Sequence, residues 1–385
     1  MVRGSDRQRA VPARGRQPGL ATASSHGRIE RVDDELLARR AACTAFLGGD
    51  GLVPPAAQLA SIPPDVLPDS YGDGGVVAAL EGYVADLLGK PAAVFLPSGT
   101  MAQGATLRVH ADRRPSRTVL WHSYCHLDQH EGQAHARLHG LLGRPVGARH
   151  RLIELADLAE VAEPVAALLL ELPQRDLGGQ LPGWDELTAQ LAWARDRGAA
   201  VHLDGARLWE AAAGYQRPPA EIAGLFDTVY VSFYKGIGAL PGCCVAGPAE
   251  DVAEVREWRR RLGGTLHGLW PAAASALSLL PERLAELPDR FAHARAIATT
   301  LADVAEISVL PNPPQTPMMH LLFRIPAERF AANSRRLAEQ DGIWTWPKAN
   351  PTGDPAVVRC ELSVGRATCQ LTPSRVVEIL SALVE

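Results

Sequence analysis

A chain of 385 residues exceeds one small domain, and division into units of about 100 to 200 residues predicts two domains. It is 46% hydrophobic and 21% charged, which supplies a sizeable core without disulfides or structural metals. A net charge of −4 lacks the basic excess on which nucleic-acid or anionic-membrane binding rests.

The first segment, residues 1–30, carries Arg3, Arg7, Arg9, Arg14, Arg16 and Arg28 among Gly, Pro and Ser. Met1 to Gly27 lacks the apolar centre of a secretory signal, and no later apolar run approaches the roughly 18 residues of a membrane span. A disordered tail on a cytoplasmic protein is expected; an organellar transit peptide is the other reading of such an Arg-rich stretch. Residues 31–70 read as an arm. Asp33 to Phe46 has helical spacing through Leu36, Leu37, Ala41 and Ala45, then Gly48-Gly49-Asp50-Gly51 breaks it and a Pro-rich stretch runs to Pro68. The cysteines Cys43, Cys125, Cys243, Cys244, Cys360 and Cys369 follow no disulfide or zinc-ribbon spacing and read as reduced thiols.

Residues 71–280 alternate helices with short apolar runs, the signature of an α/β domain with a mainly parallel sheet. The runs are Ala92 to Leu96, Thr118 to Trp121, Val165 to Leu172, Ala199 to Leu203, Thr228 to Phe233 and Cys243 to Ala246; Leu80 to Leu88 and Asp185 to Arg197 are helical. Residues 281–385 begin with Ala-, Leu- and Arg-rich helices and add short strands near Met319 to Ile325 and Val357 to Ser363, which predicts a smaller α+β domain.

In open α/β sheets ligands bind beyond the carboxyl ends of the strands, so the residues that follow each run carry the information. Ser98-Gly99-Thr100 follows the first run and opens a helix, an arrangement of small residues, hydroxyls and free N–H groups that suits a phosphate. An ordinary helix cap is the bland alternative. Asp204 ends its run, and a carboxylate there is able to keep a pyridine nitrogen protonated; Arg207 lies three residues on. Lys235 ends another run and is one of only three lysines, with Lys90 and Lys348, in a chain that otherwise uses arginine. An amine forms a Schiff base where a guanidinium does not, so a lysine kept against that bias points to such chemistry.

Ser98-Gly99-Thr100-Met101-Ala102, His202-Leu203-Asp204-Gly205-Ala206-Arg207-Leu208-Trp209 and Tyr234-Lys235-Gly236-Ile237-Gly238 resemble three motifs of the threonine aldolase and β-eliminating lyase family, in the family's order. Asp69-Ser70-Tyr71-Gly72-Asp73, His126 with Glu131-Gly132, Glu171 with Gly178-Gly179, and Arg260 to Gly264 extend the likeness over roughly Pro68 to Gly264. The resemblance implies a fold-type I pyridoxal-phosphate transferase architecture, with a seven-stranded, mainly parallel sheet in the large domain and a smaller C-terminal α+β domain. It further implies a homodimer or homotetramer acting on an amino acid. On that pattern Lys235 bears pyridoxal 5'-phosphate as a Schiff base, Asp204 meets the ring nitrogen, Arg207 the ring oxygen, and Ser98, Gly99 and Thr100 the phosphate. His126 stacks on the ring and, directly or through water, serves as base, with His130 and Glu131 as alternatives. Arg359 binds the substrate carboxylate.

Departures from the pattern concern the substrate. Leu172-Pro173-Gln174-Arg175 stands where the family often has Asn-Thr-His-Asn, so a histidine is absent and Arg175 becomes a second candidate for a carboxylate. Thr265-Leu266-His267-Gly268 replaces Gly-Met-Arg-Gln, and Tyr234 replaces a serine. The implied activity is cleavage of a β-hydroxy-α-amino acid such as threonine or allo-threonine to glycine and an aldehyde. Transaldolase, β-eliminating lyase and aminotransferase are the near alternatives. The distant ones are a non-catalytic regulator and a metal-dependent hydrolase built on His122, His126, His130, His135 and His139, whose spacing would stack imidazoles on one helix face.

Overall fold

The computed structural model describes residues 34–385, so the tail expected over 1–30 lies outside the described residues. Seven strands form the main sheet: β1 (Ala92–Leu96), β2 (Thr118–His122), β3 (Leu142–Val146), β4 (Ala167–Glu171), β5 (Ala200–Gly205), β6 (Thr228–Ser232) and β7 (Cys243–Gly247). Their spatial order is β1-β7-β6-β5-β4-β2-β3, and every pairing is parallel except the two made by β7. Central strands such as β4, β5 and β6 are near-continuous apolar runs because helices cover both faces of the sheet. β3 escaped the apolar pattern: it is a largely exposed edge strand interrupted by Gly143 and Pro145, residues an edge tolerates and a central strand does not.

Helices α1 (Gly75–Leu88), α2 (Gly99–Asp112), α3 (Trp184–Asp196), α4 (Leu208–Tyr215), α5 (Ala249–Arg261), α6 (Trp270–Ala285) and α7 (Leu287–Thr300) surround the sheet. α1 starts five residues before the apolar run Leu80 to Leu88, because Gly74-Gly75 opens it rather than breaking it. It buries Val77, Leu80, Val84 and Leu88 against β1 and α6. On α2, Ala102, Ala105 and Val109 meet β1, β6 and β7.

The turn before α1 is tied to the start of α6 by Asp69, which is buried and accepts N–H bonds from Gly72 (2.6 Å), Leu269 (2.8 Å) and Trp270 (2.8 Å). Replacing Asp69 by alanine strands three donors away from solvent, and a loss of about 3 kcal/mol is expected. Urea titration checks it as a lower midpoint at unchanged slope.

The C-terminal part has its own antiparallel sheet, formed by β8 (Ile307–Leu310), β9 (Met318–Phe323), β10 (Asn350–Pro351) and β11 (Val358–Ser363) in the order β10-β11-β9-β8. Helices α8 (Ala327–Gln340) and α9 (Pro373–Ser381) close a second apolar core around Leu321, Phe323, Phe330, Leu362 and Leu380. The helix expected to Phe46 spans Asp34–Ala42 instead. Ala45–Phe46 pairs with Ile343–Trp344, and Leu47 is wholly buried in the second core; apolar burial there outweighs helical continuation.

Candidate active site

The carboxyl ends of β1, β5 and β6 deliver their loops to one cavity of about 500 Å³. Ser98, Gly99, Thr100, His126, Arg175, Asp204, Arg207 and Lys235 line it together. Ser98 occupies the N-cap of α2 in an extended conformation, and its hydroxyl makes no capping bond, so the first-turn N–H groups face the cavity unfilled by their own chain. A Cβ at residue 99 would collide with the Tyr230 hydroxyl, which explains the glycine there.

Strand order sets a row of side chains across the floor, because Glu171 pairs in register with Asp204, and Asp204 with Tyr230. Asp204 is 3% exposed and accepts the Ala206 N–H at 3.1 Å. Burial pushes its carboxyl up, and the Lys235 ammonium pulls it back. Glu171, beside it, is driven up to about 8 by burial and by the Asp204 charge. Below the floor His202 donates from Nε2 to Gln103 (2.7 Å) and meets Thr228 through Nδ1 (2.8 Å). Burial holds it down to about 3, so it is a neutral tie between α2, β5 and β6.

Lys235 lies three residues beyond β6 in a glycine turn. Gly236 has φ 64°, and a Cβ there would come within 2.7 Å of Glu210 Oε1. The Lys235 Nζ lies 5.6 Å from the centroid of the Tyr234 ring, and Arg290, almost fully buried, donates to the Gly236 carbonyl at 3.0 Å. Arg290 and Glu210 also line a second cavity of about 550 Å³ that shares Arg207 and Tyr234 with the first. Burial raises Glu210 to about 7. Neither residue stood out in the sequence, although Glu210 sits one helical turn after Arg207.

His126 Nδ1 bonds Glu131 Oε1 at 3.1 Å, which leaves Nε2 as the free nitrogen of a side chain that is 40% exposed; the Glu131 side chain is 4% exposed. The histidine series is not one helix. His126–Gln129 and Ala134–Arg137 are separate short turns divided by Gly132 and Gln133 at positive φ, so the five imidazoles share no helix face, although His126 and His130 come to 5.1 Å between ring centroids, tilted by 51°. Among the described residues no group of three or more His, Cys, Asp and Glu is placed to hold a metal ion.

Arg175 and Arg207 meet around Glu361, at 2.7 Å from Arg175 Nε to Oε2 and 3.6 Å from Arg207 Nη2 to Oε1. Arg359 is not among the residues lining the cavity. It lies on the same face of β11 as Glu361 but two residues back, roughly 7 Å along the strand, opposite Leu322 and Asn350. On that strand it is Glu361, not Arg359, that contacts the cavity-lining arginines Arg175 and Arg207.

An amine and a buried carboxylate in one cavity, with an uncapped 14-residue helix aimed into it, match the aldehyde, ring nitrogen and phosphate of pyridoxal phosphate. Fold and donor set together define a fold-type I pyridoxal-phosphate enzyme.

The beta-eliminating lyase family model matches residues 65–324, and the chain belongs to that family as a pyridoxal-phosphate-dependent carbon–carbon lyase of the threonine aldolase type. It is 32% identical over 278 residues to the aldolase vrtJ of Penicillium aethiopicum, covering 69% of this chain and 70% of that one. It is 29% identical over 241 residues to the low specificity L-threonine aldolase of Escherichia coli K12, covering 61% and 72%. A crystal structure from Listeria monocytogenes, provisionally assigned as an L-allo-threonine aldolase, superposes with a TM-score of 0.85 at 34% identity, covering 91% of this chain and 98% of that one. Among the described residues no helix is long and apolar enough to cross a membrane.

Proposed function

We propose that this chain cleaves a β-hydroxy-α-amino acid, threonine, allo-threonine or an analogue, to glycine and an aldehyde. The observation that carries the reading is His126: oriented by buried Glu131, it opens on the cavity that also holds Lys235 and Asp204. When bound, pyridoxal phosphate supplies the electron sink for a bond broken at the substrate's α-carbon. Lys235 holds the cofactor aldehyde through its amine, Asp204 keeps the ring nitrogen protonated, and Arg207 meets the ring oxygen. Ser98, Gly99 and Thr100 receive the phosphate, and His126 covers the ring.

Arg175 is the nearer receptor for the substrate carboxylate, since it lines the cavity with its charge only partly answered by Glu361. His126 then takes the β-hydroxyl proton at Nε2, directly or through a water, and Glu131 stabilises the ring as it gains charge. This family also does other chemistry at the same α-carbon, so the products decide. Threonine, allo-threonine and phenylserine are expected to yield glycine with acetaldehyde or benzaldehyde in equal amounts. Pyruvate or 2-oxobutyrate with ammonia would make the chain an eliminating lyase, and conversion of the cofactor to its amine form by amino acid alone would make it an aminotransferase.

The reading includes a cytoplasmic homodimer or homotetramer, with residues 71–280 binding cofactor and residues 281–385 as the small domain. Tyr71, 54% exposed and packed edge-on to His267 beside exposed Leu266, supports an association surface.

A further inference from the structure

We propose that the Tyr230 hydroxyl is a phosphate donor for the cofactor, a role that neither the family motifs nor the strand-end rule assigns to it. Tyr230 lies within β6, which pairs its Cα with that of Asp204, and its side chain is buried to 2% exposure yet lines the cavity. The phenol runs from the floor to the first residue of α2. Its oxygen fills the space that a Cβ of Gly99 would need, so it lies beside the first residue of that helix and opens on the cavity that Ser98, Gly99 and Thr100 also line. An anion bound at the start of α2 therefore shares its cavity with the phenol.

Two further features fit an anion rather than a packing role. Burial pushes the Tyr230 phenol well above its ordinary range, so it is a neutral O–H donor at every working pH. Ser232, two residues on along the same face, is completely buried; its oxygen lies near the Tyr230 hydroxyl but receives no well-directed hydrogen bond. With Ser232 beside it, the Tyr230 hydroxyl keeps its own proton for an acceptor in the cavity, and a phosphate oxygen is such an acceptor.

The inference rests on reading Ser98 to Thr100 as the phosphate site, and its test separates the two. Protein stripped of cofactor is titrated with pyridoxal phosphate and, separately, with pyridoxal, which lacks the phosphate; quenching of tryptophan fluorescence reads both. Tyr230→Phe, which removes one oxygen and keeps the ring, is expected to weaken pyridoxal phosphate about tenfold and leave pyridoxal unchanged. Thr100→Val serves as the reference for the site itself. Selective loss in Thr100→Val with none in Tyr230→Phe overturns the role of Tyr230 alone. Equal weakening of both ligands by Tyr230→Phe overturns it too, assigning the phenol to the ring or the fold. No selective loss in either variant removes the phosphate site from the start of α2.

Discussion

Replacing Lys235 by alanine is expected to abolish the visible absorbance of the purified enzyme and its bleaching by borohydride, and to lower turnover by roughly four orders of magnitude, about 5.5 kcal/mol of transition-state stabilisation. The size follows from the position. Lys235 stands in a turn that Gly236 and the Arg290–Gly236 bond hold against the cavity. Lys90 is the contrasting lysine: its ammonium is spent on the Phe226 carbonyl, away from the cavity lining. Lys235→Arg separates two accounts of the residue. It preserves a positive charge opposite Asp204 but offers no amine to an aldehyde, so it is expected to lose the absorbance as fully as alanine does. Should the arginine variant retain it, Lys235 acts only as a counter-charge and the cofactor is held by another group.

That lysine was legible in the sequence because an arginine-rich composition made it conspicuous and an apolar run placed it at a strand end. Asp204 and Ser98 to Thr100 were legible for the second reason. What one chain position at a time does not reveal is which runs lie side by side. The row Glu171–Asp204–Tyr230 exists because β4, β5 and β6 are neighbours in register, and Tyr230 on its own is another aromatic in a buried strand. Depth along a strand is equally hidden. A short motif match singled out Arg359 on β11, yet the two-residue step to Glu361 decides which side chain reaches Arg175. β3 was lost because Gly143 and Pro145 are tolerated only at the sheet edge, and the edge is known only once the sheet is assembled.

Asp204→Asn is expected to retain the bound cofactor and lose about three orders of magnitude in turnover, about 4 kcal/mol, because a neutral amide no longer holds a proton on the ring nitrogen. Stability moves the other way. The folded-state pKa of Asp204 is raised by burial, so its contribution to stability is fully present below the ordinary carboxylate value and is lost as pH rises through the folded value. In cofactor-stripped protein at neutral pH the carboxylate is therefore a burden, and the asparagine variant is expected to melt at a higher temperature than the parent. Glu171 follows: relieved of its charged neighbour, it releases its proton at a lower pH than about 8. A carboxylate kept for structure would give the opposite pair of results, with stability lost and turnover nearly unchanged. Calorimetry of the stripped proteins alongside turnover of the loaded ones thus distinguishes a charge buried for chemistry from one buried for the fold. A lower Tm for the stripped variant would place Asp204 among the ties that hold β5 in the sheet.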